Sequence, residues 1–306
     1  MNWRIKGIVQ RVLSATPGGR TVNDYLQRTL GNLRDFEHSV DSKVTGDWLV
    51  FADYLQELGL DSAGMDFLEI GTGWYPTLPV CFYLAGARSC RSFDLHRHLN
   101  WGMTSRMLRR LRTHLPAIAT ASGKSLASVT AAYEQLLNCQ SLEALLHQTN
   151  IRYFAPADAT HTKLADASVD VAFSNSVLEH VPPEVILGLM RETRRVLRPG
   201  GVGMHGANCG DHYAYFDKSI NMLNYLKYSH EEWKFWDNDL LYQNRLRPRD
   251  FVRLAEEAGL KTIFARSKPV PELLESLPAL KLSSEFIEYP PEELCAVSVG
   301  FVSQAS

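Results

Sequence analysis

Hydrophobic positions fall into three zones along the chain. From residue 1 to about 64 the spacing is helical. Trp3, Ile5, Ile8, Val9, Val12 and Leu13 recur on one face, Pro17-Gly18-Gly19 closes that segment, and a second helical run from Trp48 to Leu58 stops at Gly59. From about 65 the pattern changes to short apolar runs, each followed by a longer amphipathic stretch. Met65–Ile70, Ser89–Leu95, Ile151–Ala155, Val169–Ser174 and Val202–His205 read as strands. Pro79–Ala85 and Pro183–Leu197 read as helices with proline in the first turn. Strands that alternate with helices predict an α/β fold with a parallel sheet. The interval from 99 to 150 breaks this rhythm with helical spacing and no strand, so it reads as a helical insertion that caps a site. Further on, Pro248–Ala258 reads as a helix, and Leu260–Ala265 and Leu294–Val302 as strands.

Composition narrows the class. The chain has 306 residues, of which 45% are hydrophobic and 22% charged, enough for a real core and against wholesale disorder. A formal charge of -2 argues against a general nucleic-acid coat protein. Five scattered cysteines (Cys81, Cys90, Cys139, Cys209 and Cys295) form no Cys-x-x-Cys pair, which predicts reduced thiols, no zinc site, no metal and a cytoplasmic location. No apolar stretch reaches the ~18 residues of a membrane span, and the N-terminus lacks a signal-peptide core. The basic faces of MNWRIKGIVQR and RMLRRLRTHL leave peripheral membrane contact open, although a solvated helix face explains them better.

The chemistry concentrates at strand ends. In MDFLEIGTGWYP, residues 65–76, an apolar strand ends in Glu69 and is followed by Gly71-Thr72-Gly73. Glycines let backbone approach a ligand at the carboxyl end of a strand. A dinucleotide loop wants a third glycine and free N–H groups for pyrophosphate. Here that position is Pro76, which has no N–H. S-adenosylmethionine carries no phosphate and loses nothing there, while Glu69 suits its ammonium group. Asp94 ends a strand roughly 20 residues later, where a carboxylate can take both ribose hydroxyls. Asp158, in the ADA sequence with Ala159, follows the third strand within reach of an adenine amino group, and Asn175 lies at the exit of the fourth.

Taken together, EIGTG, Asp94, ADA, VDVAFSNSVLEHVP and VLRPGG resemble the glycine loop and successive motifs of the Rossmann-like (class I) S-adenosylmethionine-dependent methyltransferases, over residues 65–206. Trp74, where many members have a small residue, is the departure. The resemblance implies a seven-stranded sheet in order 3-2-1-4-5-7-6, with 1–64 as a helical N-terminal extension or lid and 65–306 as the cofactor-binding domain. It also implies that Glu69, Gly71, Thr72 and Gly73 line the methionine side, Asp94 holds the ribose, Asp158 and Ala159 meet the adenine, and Asn175 lies near the sulfonium. The product would be S-adenosylhomocysteine.

For the acceptor, the densest group of titratable and aromatic side chains is His205, Asp211, His212, Tyr213 and Tyr215. His205 or His212 is the expected general base, with Asp211 orienting it. Tyr213, Tyr215, Arg245 and Arg247 are the expected acceptor contacts, the arginines as a clamp for an anion. O-methylation of a small or medium-sized acceptor is the first reading: a secondary metabolite, glycan precursor or lipid head group. N-methylation of a small molecule or peptide, and a cofactor-binding protein without turnover, are the alternatives. No nucleic-acid partner is expected, and oligomeric state is not legible.

Overall fold

A computed structural model describes residues 2–16, 36–238, 240 and 242–305. Helix α1 spans Trp3–Ser14. The Pro17-Gly18-Gly19 stop lies outside the described residues. Helix α2 (Phe36–Ser42) runs through a wide π-helical stretch, Lys43–Trp48, into α3 (Leu49–Glu57). Then come β1 (Asp66–Ile70), α4 (Thr77–Leu84) and β2 (Ser89–Phe93). Four helices follow: α5 (Trp101–Leu111), α6 (Leu115–Ala121), α7 (Leu126–Leu137) and α8 (Leu142–Gln148). The chain continues through β3 (Ile151–Phe154), β4 (Val169–Asn175), α9 (Pro183–Val196) and β5 (Leu197–Asn208). After an irregular aromatic segment come α10 (Pro248–Glu257), β6 (Lys261–Arg266) and β7 (Ser298–Gln304).

The strands form one sheet in order β3-β2-β1-β4-β5-β7-β6, with β7 antiparallel to both neighbours. Strand order reverses between β1 and β4, which places a crevice beyond their carboxyl ends. Every residue of β1 is buried, as expected of a central strand covered on both faces. Successive side chains alternate between two cores. Phe67, Val171, Phe173, Val202 and Met204 pack beneath α3 and α4, while Leu68, Ile70, Ala172, Ala207 and Phe301 pack beneath α9 and α10.

The insertion is helical as expected, but it does not cap the crevice. Its apolar stripes, including Met107, Leu111, Ile118 and Tyr133, bury into the first core. Its basic face is neutralised locally: Arg110 and His114 both bind Asp41 of α2, and Arg106 lies over Phe36. Pairing with α2 and burial of the stripe hold these helices on the face of the sheet.

The N-terminal extension divides. Helix α1 joins a third, aromatic core, where Trp3 packs against Tyr213, Trp233 and Trp236 and its N–H donates to Asp217 at 2.8 Å. The segment 36–57 instead lies against the sheet and reaches the crevice. The five cysteines are free thiols. Among the described residues, no helix is long and apolar enough to cross a membrane.

Candidate active site

At the switch point, Gly71 and Gly73 have φ of +81° and +73°, a backbone region that L side chains rarely adopt. Gly71 donates its N–H to the Phe93 carbonyl at 2.8 Å, which pins the loop to the end of β2. A Cβ on Gly71 would lie 2.3 Å from Val177, whereas nothing stands within 4 Å of one on Gly73. Asp94 accepts the Gly73 N–H at 2.9 Å, so this carboxylate also shapes the glycine loop.

The loop forms one wall of a cavity of about 170 Å³ lined by Glu69, Gly71, Thr72, Gly73, Tyr75, Thr77 and Leu78, with Asn175 and Ser176 from the end of β4 and Lys43 and Asp47 from the π-helical stretch. Burial pushes the Glu69 carboxyl up to about 7, against the Ser92 hydroxyl, which donates to it at 2.6 Å, and the nearby Lys43 charge. Burial likewise lowers Lys43, while Glu69, Asp47 and Asp94 oppose that shift. An extra residue in a helical turn re-aims side chains; here the wide stretch coincides with Lys43 and Asp47 reaching the same cavity. The Thr77 hydroxyl is buried with no partner among the described residues, and the room in front of Gly73 is clear. An unfilled polar atom, a cleared glycine, a carboxyl and an ammonium in one cavity fit a small zwitterion such as the methionine end of S-adenosylmethionine.

A second cavity of about 300 Å³ adjoins the first and shares Asp47, Asn175 and Ser176 with it. Gly206 of β5 pairs with Gly300 of β7 on its floor. A Cβ on Gly206 would meet Asn175 Oδ1 at 2.4 Å, and one on Gly300 would meet the Tyr54 hydroxyl at 2.2 Å. These paired glycines let Asn175 and Tyr54 lie flat against the sheet. Burial pushes Asp47 up to about 6, tempered by Lys43 and by a hydrogen bond with Asn175.

The expected acceptor residues distribute differently. His205 is fully buried within the sheet, with Nδ1 2.8 Å from the Ser174 hydroxyl and its ring against Phe301. Burial lowers it to about 3, so it is a neutral core residue that faces α9 and not the crevice. Asp211 does not orient a histidine: its oxygens accept from the Tyr213 N–H and the Asn224 side chain, both at 2.8 Å. Tyr213 is buried, with its hydroxyl on the Trp236 carbonyl. Arg247 is fully buried and donates to the carbonyls of Cys209 and Leu294 and to the Tyr225 hydroxyl. Arg245 binds the Tyr225 and Tyr228 carbonyls. These two arginines tie the irregular segment after β5 together and are not an anion clamp.

His212 and Tyr215 remain near the crevice. Their rings are 5.4 Å apart, and the Tyr215 hydroxyl accepts from Asn208, which lines the second cavity. On the cofactor side, Glu69, Gly71, Thr72, Gly73 and Asn175 come together as expected, and Asp94 touches them through Gly73. Asp158 is exposed and turned back on Thr160, and neither it nor Ala159 lines the cavity. Sequence reasoning missed Lys43 and Asp47. They lie well before the glycine loop and carry no local motif, so nothing linked them to the site.

The family model described as a methyltransferase domain matches residues 115–204. No curated protein matches the sequence. Solved structures with a similar chain course include three methyltransferases. A SAM-dependent methyltransferase from Methanosarcina mazei is 15% identical, with 82% of this chain and 96% of that one covered and a TM-score of 0.45. An S-adenosylmethionine-dependent methyltransferase from Mesorhizobium loti is 14% identical, with 82% and 96% covered and a TM-score of 0.43. Geranyl diphosphate C-methyltransferase from Streptomyces coelicolor A3(2) is 14% identical, with 89% and 84% covered and a TM-score of 0.46. The sheet order and the glycine loop are those of the Rossmann-like methyltransferase fold, and residues 115–204 match a methyltransferase domain. The matched domain supports a methyltransferase that takes S-adenosylmethionine as its methyl donor.

Proposed function

We propose that this enzyme O-methylates a small or medium-sized acceptor that binds in the second cavity, with Asp47 as the general base. The observation that carries this reading is the position of Asp47: it stands in the wall shared by the two cavities and is the half-buried carboxylate there. Methyl transfer is an in-line displacement. The acceptor oxygen attacks the methyl carbon as the carbon–sulfur bond breaks, and the hydroxyl proton needs a base near the attacking atom. With its carboxyl near 6, Asp47 is ionised at pH 7 and basic enough for that task. This assignment replaces His205, which has no access to the cavity.

In the same reading, Lys43 pairs with the methionine carboxylate and Glu69 with its ammonium group. Asp94 keeps one oxygen on Gly73 and offers the other to ribose. The cofactor supplies an activated methyl group; the chain's residues hold it, align it with the acceptor and exclude water. The second cavity is at the lower end of ligand-pocket sizes of ~300–1,000 Å³, which favours a compact acceptor over a polymer.

The test is an acceptor screen with methyl-labelled cofactor, followed by Asp47→Asn on the best acceptor. Loss of a general base predicts a kcat fall of about 10²–10⁴-fold, with S-adenosylhomocysteine affinity held within about threefold. Full turnover in the variant, or label transferred only to amines, would contradict the proposal.

A further inference from the structure

Just beyond the acceptor cavity, two segments bring three metal-ligating side chains together. Glu179 and His180 lie on the 3-10 turn Leu178–His180 after β4, and His212 lies on the turn after β5. Each offers one ligand atom, and the three atoms all lie within 4.8 Å of one another. The turn that carries Glu179 and His180 is braced by Asn244, which donates its side-chain amide to the Leu178 and Val181 carbonyls and its N–H to the Glu179 carbonyl. Asp211 caps the turn that carries His212, and the His212 N–H donates to Gln243 at 3.1 Å.

The ligand atoms themselves are left open. Glu179 is 1% exposed, and its Oε2 has no hydrogen-bond partner among the described residues. His212 Nε2 is buried and equally unpartnered. A carboxylate oxygen buried this way costs free energy unless something compensates it. His180 Nδ1 lies 2.8 Å from the Tyr242 carbonyl, which fixes that nitrogen as the N–H and leaves Nε2 with a lone pair. A ring N–H held by a backbone carbonyl is the usual support of a metal-binding histidine. The imidazoles of His180 and His212 stand with ring centroids 5.0 Å apart.

We propose that Glu179, His180 and His212 bind one divalent transition-metal ion. Two imidazole nitrogens and a carboxylate suit Zn²⁺ and its neighbours, whereas Mg²⁺ and Ca²⁺ prefer all-oxygen shells. Ligands at ~2.0–2.2 Å from one tetrahedral ion lie ~3.3–3.6 Å apart, so binding draws the three atoms, now within 4.8 Å of one another, closer by up to about 1.5 Å. Three protein ligands leave coordination positions open. Asn208, whose backbone N–H helps hold the Glu179 carboxylate, lines the acceptor cavity. The ion can therefore take an acceptor oxygen, a role that rests on the proposed function, whereas ion binding itself does not.

The test uses the full chain after chelator treatment and dialysis, titrated with Co²⁺ and followed by visible absorption, then competed with Zn²⁺. The site predicts saturation at one equivalent and bleaching of the spectrum by Zn²⁺. His212→Gln and Glu179→Gln should each weaken Co²⁺ binding tenfold or more, with S-adenosylhomocysteine affinity retained. His180→Gln, an exposed position, serves as the third arm should burial of the others compromise folding, which circular dichroism reports. Absence of a Co²⁺ spectrum in the wild-type protein would overturn the site, as would unchanged affinity in the folded His180→Gln or His212→Gln variants. Loss of S-adenosylhomocysteine binding in the wild type would count against the cofactor assignment alone.

Discussion

Replacing each loop glycine by alanine separates two roles that share one motif. At Gly71 the new Cβ meets Val177 Cγ2 at 2.3 Å and Cγ1 at 3.2 Å, and φ is +81°. Rotating away would break the 2.8 Å bond from the Gly71 N–H to Phe93. The left-handed conformation costs an alanine about 1–2 kcal/mol and overpacking a further 1–3, so Gly71→Ala should destabilise the fold by about 2–5 kcal/mol. At Gly73 the φ of +73° imposes the same conformational cost of about 1–2 kcal/mol, but the space ahead is empty and belongs to the cavity. Gly73→Ala should therefore cost little further stability and instead weaken S-adenosylhomocysteine binding tenfold or more, about 1.4 kcal/mol. Denaturant unfolding measures the first effect and calorimetry the second. A Gly71→Ala/Val177→Ala double variant should recover about 1–3 kcal/mol relative to additivity. Equal stability of the two single variants, or no coupling to Val177, would refute the steric argument.

Other expectations follow from the same site. Glu69 titrates near 7 in the free protein because of burial, so cofactor ammonium binding should release a proton; affinity should rise with pH up to about 7 and level off above it, as titrations across pH 5.5–8.5 would show. With Asp47 raised to about 6 by burial in the free protein, log kcat/KM should climb with unit slope below pH 6 and plateau above it, a profile that Asp47→Asn should abolish. Arg247→Met removes the buried donor to the Leu294 carbonyl and the Tyr225 hydroxyl, leaving the Cys209 carbonyl only its bond from Tyr225, and should lower stability by about 2–4 kcal/mol, read from chemical denaturation, while Asp94→Ala should weaken cofactor binding through loss of the bond that shapes the glycine loop and of the proposed ribose contact.

Much of the sheet was legible because its signal is local. Each central strand is a short apolar run, and each of α4, α9 and α10 starts near proline, so element type and succession along the chain follow from pattern, whereas the spatial order of the strands was implied only by the family resemblance. The glycine loop that lines the first cavity was legible for the same reason: Glu69, Gly71 and Gly73 fall within five residues. What pattern could not reveal is orientation. His205 and Met204 are neighbours on β5, and only the register against Ser174 and Phe301 decides that His205 points into the core beneath α9. Arg245 and Arg247 look like ligands in sequence, but the carbonyls that they satisfy come from residues 209, 225, 228 and 294. Asp47 was invisible because a π-helical stretch, not a motif, brings it to the crevice. The insertion misled for a similar reason: its length suggested a cap over the site, while its buried stripe and the Arg110–Asp41 pair commit it to the sheet face.

The most direct test of the account is calorimetric titration of the full chain with S-adenosylhomocysteine, and separately with NAD. The account predicts saturable binding of S-adenosylhomocysteine at one site, weakened by Gly73→Ala and by Lys43→Ala, and no heat from NAD. Binding of NAD, or S-adenosylhomocysteine affinity indifferent to both substitutions, would contradict it.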